Sequence, residues 1–506
     1  MSFRSVVLGT PSLIFLANSA VADVTAQDIW SDWQAYMAGF GYSVNATETM
    51  SGSTLEITDF KLTVPIPEDG GAFGVTMDRI DFVEKDDGTV ELVFPERMPL
   101  SFAAQGPDGT PLSGAVEYTM QNMVMQASGD PSKITYNYTA DQIGLTLKEL
   151  IIQGEAVPSD ELEVTIGSKD LSGQSIMEPG ALRKISQTVM VSETDYIFKY
   201  AAPNGEDGFA LTGAMAALNF KSDTLIPAIL DPEDMVAMLS NGFTLDGTFG
   251  YSGSKTGFSF TESGDTLEGS SSAETAEIAI RMNKDLLEYS GASTGVNFNV
   301  AGQEIPFPIV AGLGKIAFNM MIPIAKSDDP SDFALGLTFA DFVTSDALWS
   351  MVDPGTALPR DPATISFDLV GKAKMLIDFF DPKQMEALEK GDVMPAELNA
   401  ITLRNLVVSA AGAELTGTGA ATFDNTDLTS FNGFPKPTGG IDLKLVGGNG
   451  LMDGLVKMGL LPQEQAMGAR MMMGLFTRPG EGEDTLTTKV EINEQGHILA
   501  NGQRLK

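Results

Sequence analysis

The sequence predicts a mainly β protein, an elongated and curved antiparallel sheet shaped like a trough, with a few short helices that include a C-terminal pair. Three observations predict it. Apolar and polar residues alternate with a period of two in many short runs, which places apolar side chains on one face of a strand. Turn signals recur every 8–12 residues, the spacing of antiparallel sheet. The 53 glycines in 506 residues supply the many turns such a sheet needs.

Composition bounds the function. A hydrophobic content of 43% with 20% charged residues is that of a folded chain. The formal charge of −37, from 31 basic and 68 acidic residues, repels phosphate backbones and anionic membrane surfaces, so nucleic-acid binding is excluded. There is no cysteine, which removes disulfides, thiolate metal sites and cysteine nucleophiles. Without disulfides an exported protein must rest on a sizeable core, and this length permits one.

In order, residues 1–22 read as a secretory signal. Arg4 is the positive region, Val6 to Leu16 the apolar core, and Ala20-Val21-Ala22 the small residues of a cleavage site after Ala22. A periplasmic location follows as an expectation, and no later stretch is apolar enough to span a membrane. Residues 23–225 form an N-terminal β-rich region that opens with an amphipathic helix. Thr25 and Asp28 resemble a capping box, and Trp30, Trp33, Met37 and Phe40 recur at helical spacing. A lid over the first strands is the expected role.

Strands follow. Leu55 and Ile57, then Leu62 and Val64, frame strands around Asp59. Asp86-Asp87-Gly88 and Pro107-Asp108-Gly109 mark hairpin turns. Ile134-Tyr136-Tyr138 and Ile143-Leu145-Leu147 read as two further alternating runs.

Residues 226–506 form a C-terminal β-rich region. Asp231-Pro232 and Asp381-Pro382 each read as a helix start, with Asp as cap and Pro in the first turn, 150 residues apart. This suggests a weak internal repeat of strand meander and helix. Ile305-Pro306-Phe307-Pro308 must be an edge or a loop. Leu358-Pro359-Arg360-Asp361-Pro362 reads as a structural corner. A parity change between Ile401-Leu403 and Leu406-Val408 predicts a bulge near Asn405. Two helices are expected over residues 451–460 and 462–476, since Pro462 suits only a first turn. Met467, Met471 and Leu475 share one stripe, with Met472 and Phe476 beside it. Two readings stand: the pair plugs the end of the sheet, or Met467, Met471, Met472, Leu475 and Phe476 contact a lipid or other apolar ligand.

Sites for chemistry are few. His497 is the only histidine and lies in the final hairpin. Gly291-Ala292-Ser293-Thr294-Gly295 matches G-x-S-x-G but leads into a strand, where the serine elbow needs a helix. Ser327-Asp328-Asp329 and Asp424-Asn425-Thr426-Asp427 lack the calcium-loop pattern and read as solvated turns. No catalytic residue, metal or cofactor is expected.

Ile29-Trp30-Ser31-Asp32-Trp33, Trp349 to Gly355 with Leu358 to Ala363, and Ile401 to Leu406 with Gly412 to Gly419 resemble domain of unknown function 2125, a family of bacterial secreted proteins. The likeness runs through essentially all of the chain after the leader and implies no catalytic residues. A looser similarity reaches the AsmA-like envelope proteins, through the strand–helical pair–strand ending and Gly496 with Asn501-Gly502. That similarity implies a long folded sheet with an apolar trough and a role in moving lipids between membranes. AsmA-like proteins usually keep an N-terminal anchor, whereas this leader reads as cleavable. The expected function is therefore binding or carrying lipid-like apolar molecules, or assisting outer-membrane assembly. The alternative is an envelope structural or interaction protein whose partner is another protein and not a small ligand.

Overall fold

The computed structural model describes residues 23–66, 71–106, 108–228 and 234–505. The expected leader with its cleavage after Ala22, the turn residue Pro107 and the helix start at Asp231-Pro232 lie outside the described residues. Helix α1 (Ala26–Gly39) leads into β1 (Ser43–Ser51), β2 (Thr54–Ile66), β3 (Gly71–Glu84), β4 (Val90–Val93), β5 (Arg97–Gln105), β6 (Pro111–Gln121), β7 (Val124–Asp130), β8 (Lys133–Ile152) and the short β9 (Glu155–Ala156). Long strands follow: β10 (Leu162–Glu178), β11 (Leu182–Ala201), β12 (Gly208–Pro227), then α2 (Met235–Ser240), β13 (Thr244–Glu262), β14 (Asp265–Met282), β15 (Leu286–Gly302), β16 (Ile309–Pro323) and β17 (Ser331–Thr344). The chain closes with α3 (Asp346–Val352), β18 (Ala363–Met375), α4 (Pro382–Glu389), β19 (Ala396–Ala410), β20 (Ala413–Asp424), β21 (Lys436–Val446), α5 (Gly448–Lys457), α6 (Gln463–Phe476), β22 (Arg478–Pro479), β23 (Thr485–Ile492), β24 (Ile498–Ala500) and β25 (Gln503–Arg504).

All these strands join one antiparallel sheet, as expected. From β10 to β21 each strand pairs with the next in sequence. The sheet crosses residues 225–226 unbroken, because β12 pairs with β13 from Gly208↔Thr261 to Leu225↔Thr244. Between β3 and β8 it splits into two side-by-side rows, β4 with β7 and β5 with β6. At ~4.8 Å per strand, the path from β1 to β25 is about 95 Å long.

The long strands are not the separate short runs that the turn spacing predicts. Each crosses a transverse crease. Asp59, Asp170, Ala217, Gly253, Gly295 and Asp341 take positive φ (52°, 51°, 49°, 92°, 58° and 56°) inside β2, β10, β12, β13, β15 and β17. The ladders lose pairing at the same rung in neighbouring strands, for instance between Thr275↔Thr294 and Ser272↔Asn297. A left-handed residue inside a strand turns the chain, as a bulge does, and shifts its alternation by one. So Leu55 and Ile57 precede the crease on odd numbers, and Phe60 and Leu62 follow it on even ones. Both sets face the same core, because Trp30 of α1 packs against Phe60 on one side of the crease and Phe82 on the other. The crease bends the sheet and keeps one face apolar on both arms.

That core sits at the N-terminal end. The expected capping box forms at Thr25 and Asp28, and the Ala26 N–H donates to Glu84 at 2.9 Å. Ile29 and Trp30 are fully buried against Leu55, Ile57, Ile80, Phe82, Val90 and Leu92. The lid is tied at its middle by Asp32, which accepts two hydrogen bonds from the Arg183 guanidinium, at 2.6 and 2.8 Å. Arg183 also lies over the Tyr36 ring.

Beyond this core, further helices lie between the strands. Asp234 caps α2, accepting from the Ala237 N–H, and Asp381 caps α4 with Pro382 in its first turn as expected. Helix α3 was not expected; it follows the end of β17. The bulge near Asn405 is present as a register shift between Leu403 and Leu406.

Candidate functional site

The candidate site is the apolar face of the sheet beyond the α1 lid. Strand register assembles it. Val189, Phe220, Phe249 and Ile278 are directly opposed on successive strands, and the row continues through Gly291 to Phe318 and Leu337. The Phe318 ring lies over Gly291, where an added Cβ would meet it at 2.6 Å. Glycine is needed there to let the ring lie flat on the sheet. From Leu337 the row passes to Phe367, Leu406, Gly417 and Leu443. Parallel rows run two residues to either side, such as Ile280, Tyr289, Met320 and Leu335.

The opposite face is polar at the matching positions. Gln174, Thr188, Lys221 and Thr248 form one of its rows, which reaches Ser290 and Asn319 past Ala279. Across the crease the apolar face continues on the second arm as Val164, Phe198, Leu211 and Phe258. There Phe258 lies over Gly269.

The apolar face is uncovered. Phe220 is 36%, Phe249 39% and Ile278 44% exposed. Isolated apolar side chains on a surface need no explanation, but a contiguous open face of this extent does, which makes it the candidate site. From β8 to β24 the face crosses fifteen strands, an arc of about 65–70 Å. Near its C-terminal end a cavity of about 240 Å³ is lined by Leu369, Ile401, Leu403, Ile441, Val490 and Ile492 with neighbouring glycines and alanines.

The five residues singled out from the sequence do not line that cavity. Met467, Met471 and Leu475 on one stripe of α6, and Met472 beside it, are all exposed, Met471 at 67%. They do not plug the sheet; Phe476 alone among the five is half-buried. The inward side of α6 carries Ala466 and Arg470 instead. Ala466 is buried, and Arg470 bonds to the Asn449 carbonyl and Asp453 of α5. Nearby, Asp353 is buried and accepts from the Ala357 and Leu358 N–H groups at 2.8 and 2.9 Å. Those bonds hold its carboxyl below the usual carboxylate range. Arg360 pairs with Asp346 and lies over Trp349, so the Pro-rich segment is the corner it was expected to be.

Ser293 sits mid-strand in β15 with its Oγ donating to the Thr275 carbonyl, so the G-x-S-x-G segment forms no elbow. Among the described residues no group of three or more His, Asp or Glu side chains is placed to hold a metal, and no helix is long and apolar enough to cross a membrane.

The strands that carry most of this face lie in a segment with a recognisable family signature. The family described as "Uncharacterized protein conserved in bacteria (DUF2125)" matches residues 228–500, more than half of the chain. The chain belongs to this family. The DUF2125 match takes in β13 to β24, α3 and the α5–α6 pair. The Ile29–Trp33 segment lies outside it, so the likeness is narrower than the near-complete span expected. No curated protein matches the chain. The match concerns DUF2125 alone and does not show the AsmA-like similarity.

Proposed function

We propose that this protein binds lipid-like apolar molecules along the creased face of its sheet and carries them in the periplasm. One observation carries the reading: rows of apolar side chains, in register over some fifteen strands, are left open to solvent on one face while the other face is polar. Burying such a face against alkyl chains gains roughly 25 cal/mol per Å², and no covalent or metal chemistry is required. The crease supports the same reading, since it brings two apolar arms to one side. The leader supports export, and the AsmA-like similarity supports lipid as the cargo.

The test is direct. The protein is purified without detergent from cells that contain its native membranes, and the extract is examined by mass spectrometry for bound lipid. Lipid in near-stoichiometric amount is expected, reduced several-fold in a Phe249→Asp, Ile278→Lys double variant. Repeated preparations free of lipid, with no uptake of an apolar fluorescent probe, would sink the reading.

A second reading rests on α6. Its exposed stripe of Met467, Met471 and Leu475, with Met472 beside it, is turned away from α5 and favours contact with an envelope protein. Crosslinking in cells from Gln463 or Gly468 replaced by a photoreactive residue tests it; a defined protein adduct supports this reading, and its absence opposes it.

A further inference from the structure

The α1 lid does more than complete a core. Beneath its second half lies a cavity of about 270 Å³, walled by Trp33, Tyr36 and Met37 from the helix and Met125, Tyr136 and Met177 from the sheet. Tyr138 and Ser175 also line it. Tyr138 is the first member of the apolar row described above, since it opposes Gly173, which opposes Val189; the row beside it runs from Ser175 through the polar Gln187 and Ser222 before it reaches Gly247 and Ile280. The cavity is therefore the near end of the open face.

On its other side the molecule is solid, because Trp30, Phe82 and Ile134 are fully buried there. The cavity is a dead end.

Of its polar side chains, Asp32, Trp33, Tyr136, Tyr138 and Ser175 are already engaged. The Trp33 Nε1–H donates to the Tyr136 hydroxyl at 3.1 Å. The Tyr138 hydroxyl and Ser175 Oγ are 3.3 Å apart, and Gln187 Nε2 donates to the same Ser175 Oγ. Burial pushes the Tyr136 hydroxyl up to about 12, against the pull of the Trp33 bond, so it stays neutral. The cation at the rim, Arg183, spends its guanidinium on both Asp32 oxygens. A charged head group would find the charged side chains here, Asp32 and Arg183, already paired with each other, whereas a hydrocarbon end would lose nothing by entering.

We infer that the cavity beneath α1 receives the methyl end of a single alkyl chain, so that a bound lipid lies tail-first against the lid with its head toward the C-terminal end. This rests on the lipid-binding reading above and adds a polarity and a stop to it. A cavity of about 150 Å³ accepts benzene, so this one takes about ten carbons.

The experiment uses the full chain with the conservative Trp349→Phe change, which leaves Trp30 and Trp33 as the emitters. Binding of radiolabelled palmitate is measured by equilibrium dialysis. Quenching is then compared between a palmitate brominated at its terminal carbon and a stearate brominated at mid-chain. Terminal bromine is expected to quench at least twofold more strongly, and a further Trp33→Phe change is expected to remove most of that excess. Palmitate bound with mid-chain quenching equal or stronger would overturn the tail-first site and leave the open face standing as a lipid surface. No palmitate bound at all would overturn both for single-chain ligands. The two brominated acids are compared in one protein, so the result does not depend on how the Trp33 variant folds.

Discussion

The N-terminal and C-terminal stretches of the sheet are built alike and end differently. Both alternate apolar and polar residues, and both change parity at the crease. At β2 and β3 the apolar side chains are sealed under α1. At β12 to β14 the equivalent side chains face solvent. Strand pattern decides which face is apolar; whether that face becomes core or stays open to solvent depends on a third element arriving to cover it. The Ile29, Trp30 and Trp33 side chains supply it at one end only.

The sharpest way to break this contrast is to truncate matched aromatics. Trp30→Ala should cost about 3–5 kcal/mol of stability, the range for a large buried side chain. Phe249→Ala should cost less than about 1 kcal/mol, as expected where little packing is lost, while lowering uptake of an apolar probe. Chemical denaturation of both variants decides it, and equal losses would mean that the two regions do not differ as described.

Next comes the tie that holds the lid. Asp32→Ala leaves a nearly buried guanidinium unpaired and should cost on the order of 3 kcal/mol. Hydrogen exchange in α1 should quicken with it. Replacing both partners, with Asp32→Leu and Arg183→Met, should recover most of the loss.

The crease offers a smaller effect. Among the described residues, Ala217 is the one crease residue at positive φ that is neither Asp nor Gly. An L-residue with a Cβ pays roughly 1–2 kcal/mol in that region, so Ala217→Gly should be neutral to stabilising by up to about 1 kcal/mol, offset by backbone entropy. Ala217→Val should destabilise, and its melting curve should fall below those of wild type and Ala217→Gly.

Asp353 distinguishes how the far end is held. Its folded carboxyl titrates below the ordinary aspartate value because the Ala357 and Leu358 N–H groups bond to the charged form. Its contribution is present above that ordinary value, about 4, and is lost as pH falls through the folded value. Stability curves of wild type and Asp353→Ala should therefore separate above about pH 4 and converge in stronger acid. Least affected should be Met471→Glu on the exposed α6 stripe, within about 0.5 kcal/mol of wild type by thermal melting; a larger loss would mean the stripe is covered.

Much of the sheet was legible. The lid helix, its capping box, the bulge near Asn405 and the closing hairpin all follow from local spacing. The crease was visible but misread. Ile134-Tyr136-Tyr138 and Ile143-Leu145-Leu147 look like two strands because their parity differs; they are the two arms of β8, joined through Asp141. The same holds for Leu55-Ile57 and Leu62-Val64 around Asp59. A parity change with no glycine–proline turn between the runs is the signal that separates a crease from a loop.

The open face was harder to read. Phe249 and Ile278 become neighbours only through register, which spacing along the chain does not encode. The methionines of α6 drew attention because helical stripes are local. Their exposure depends on which side Arg470 pins to α5, a tertiary fact.

The crease also limits how a sheet of this kind can change over generations. One residue gained or lost in a single arm would turn that arm inside out relative to its neighbours, oil outward and charge inward. A whole hairpin inserted with its own bend would keep every later strand in step. Lengthening should thus come in pairs of strands, about 10 Å at a time, and relatives of different size should differ by even numbers of them.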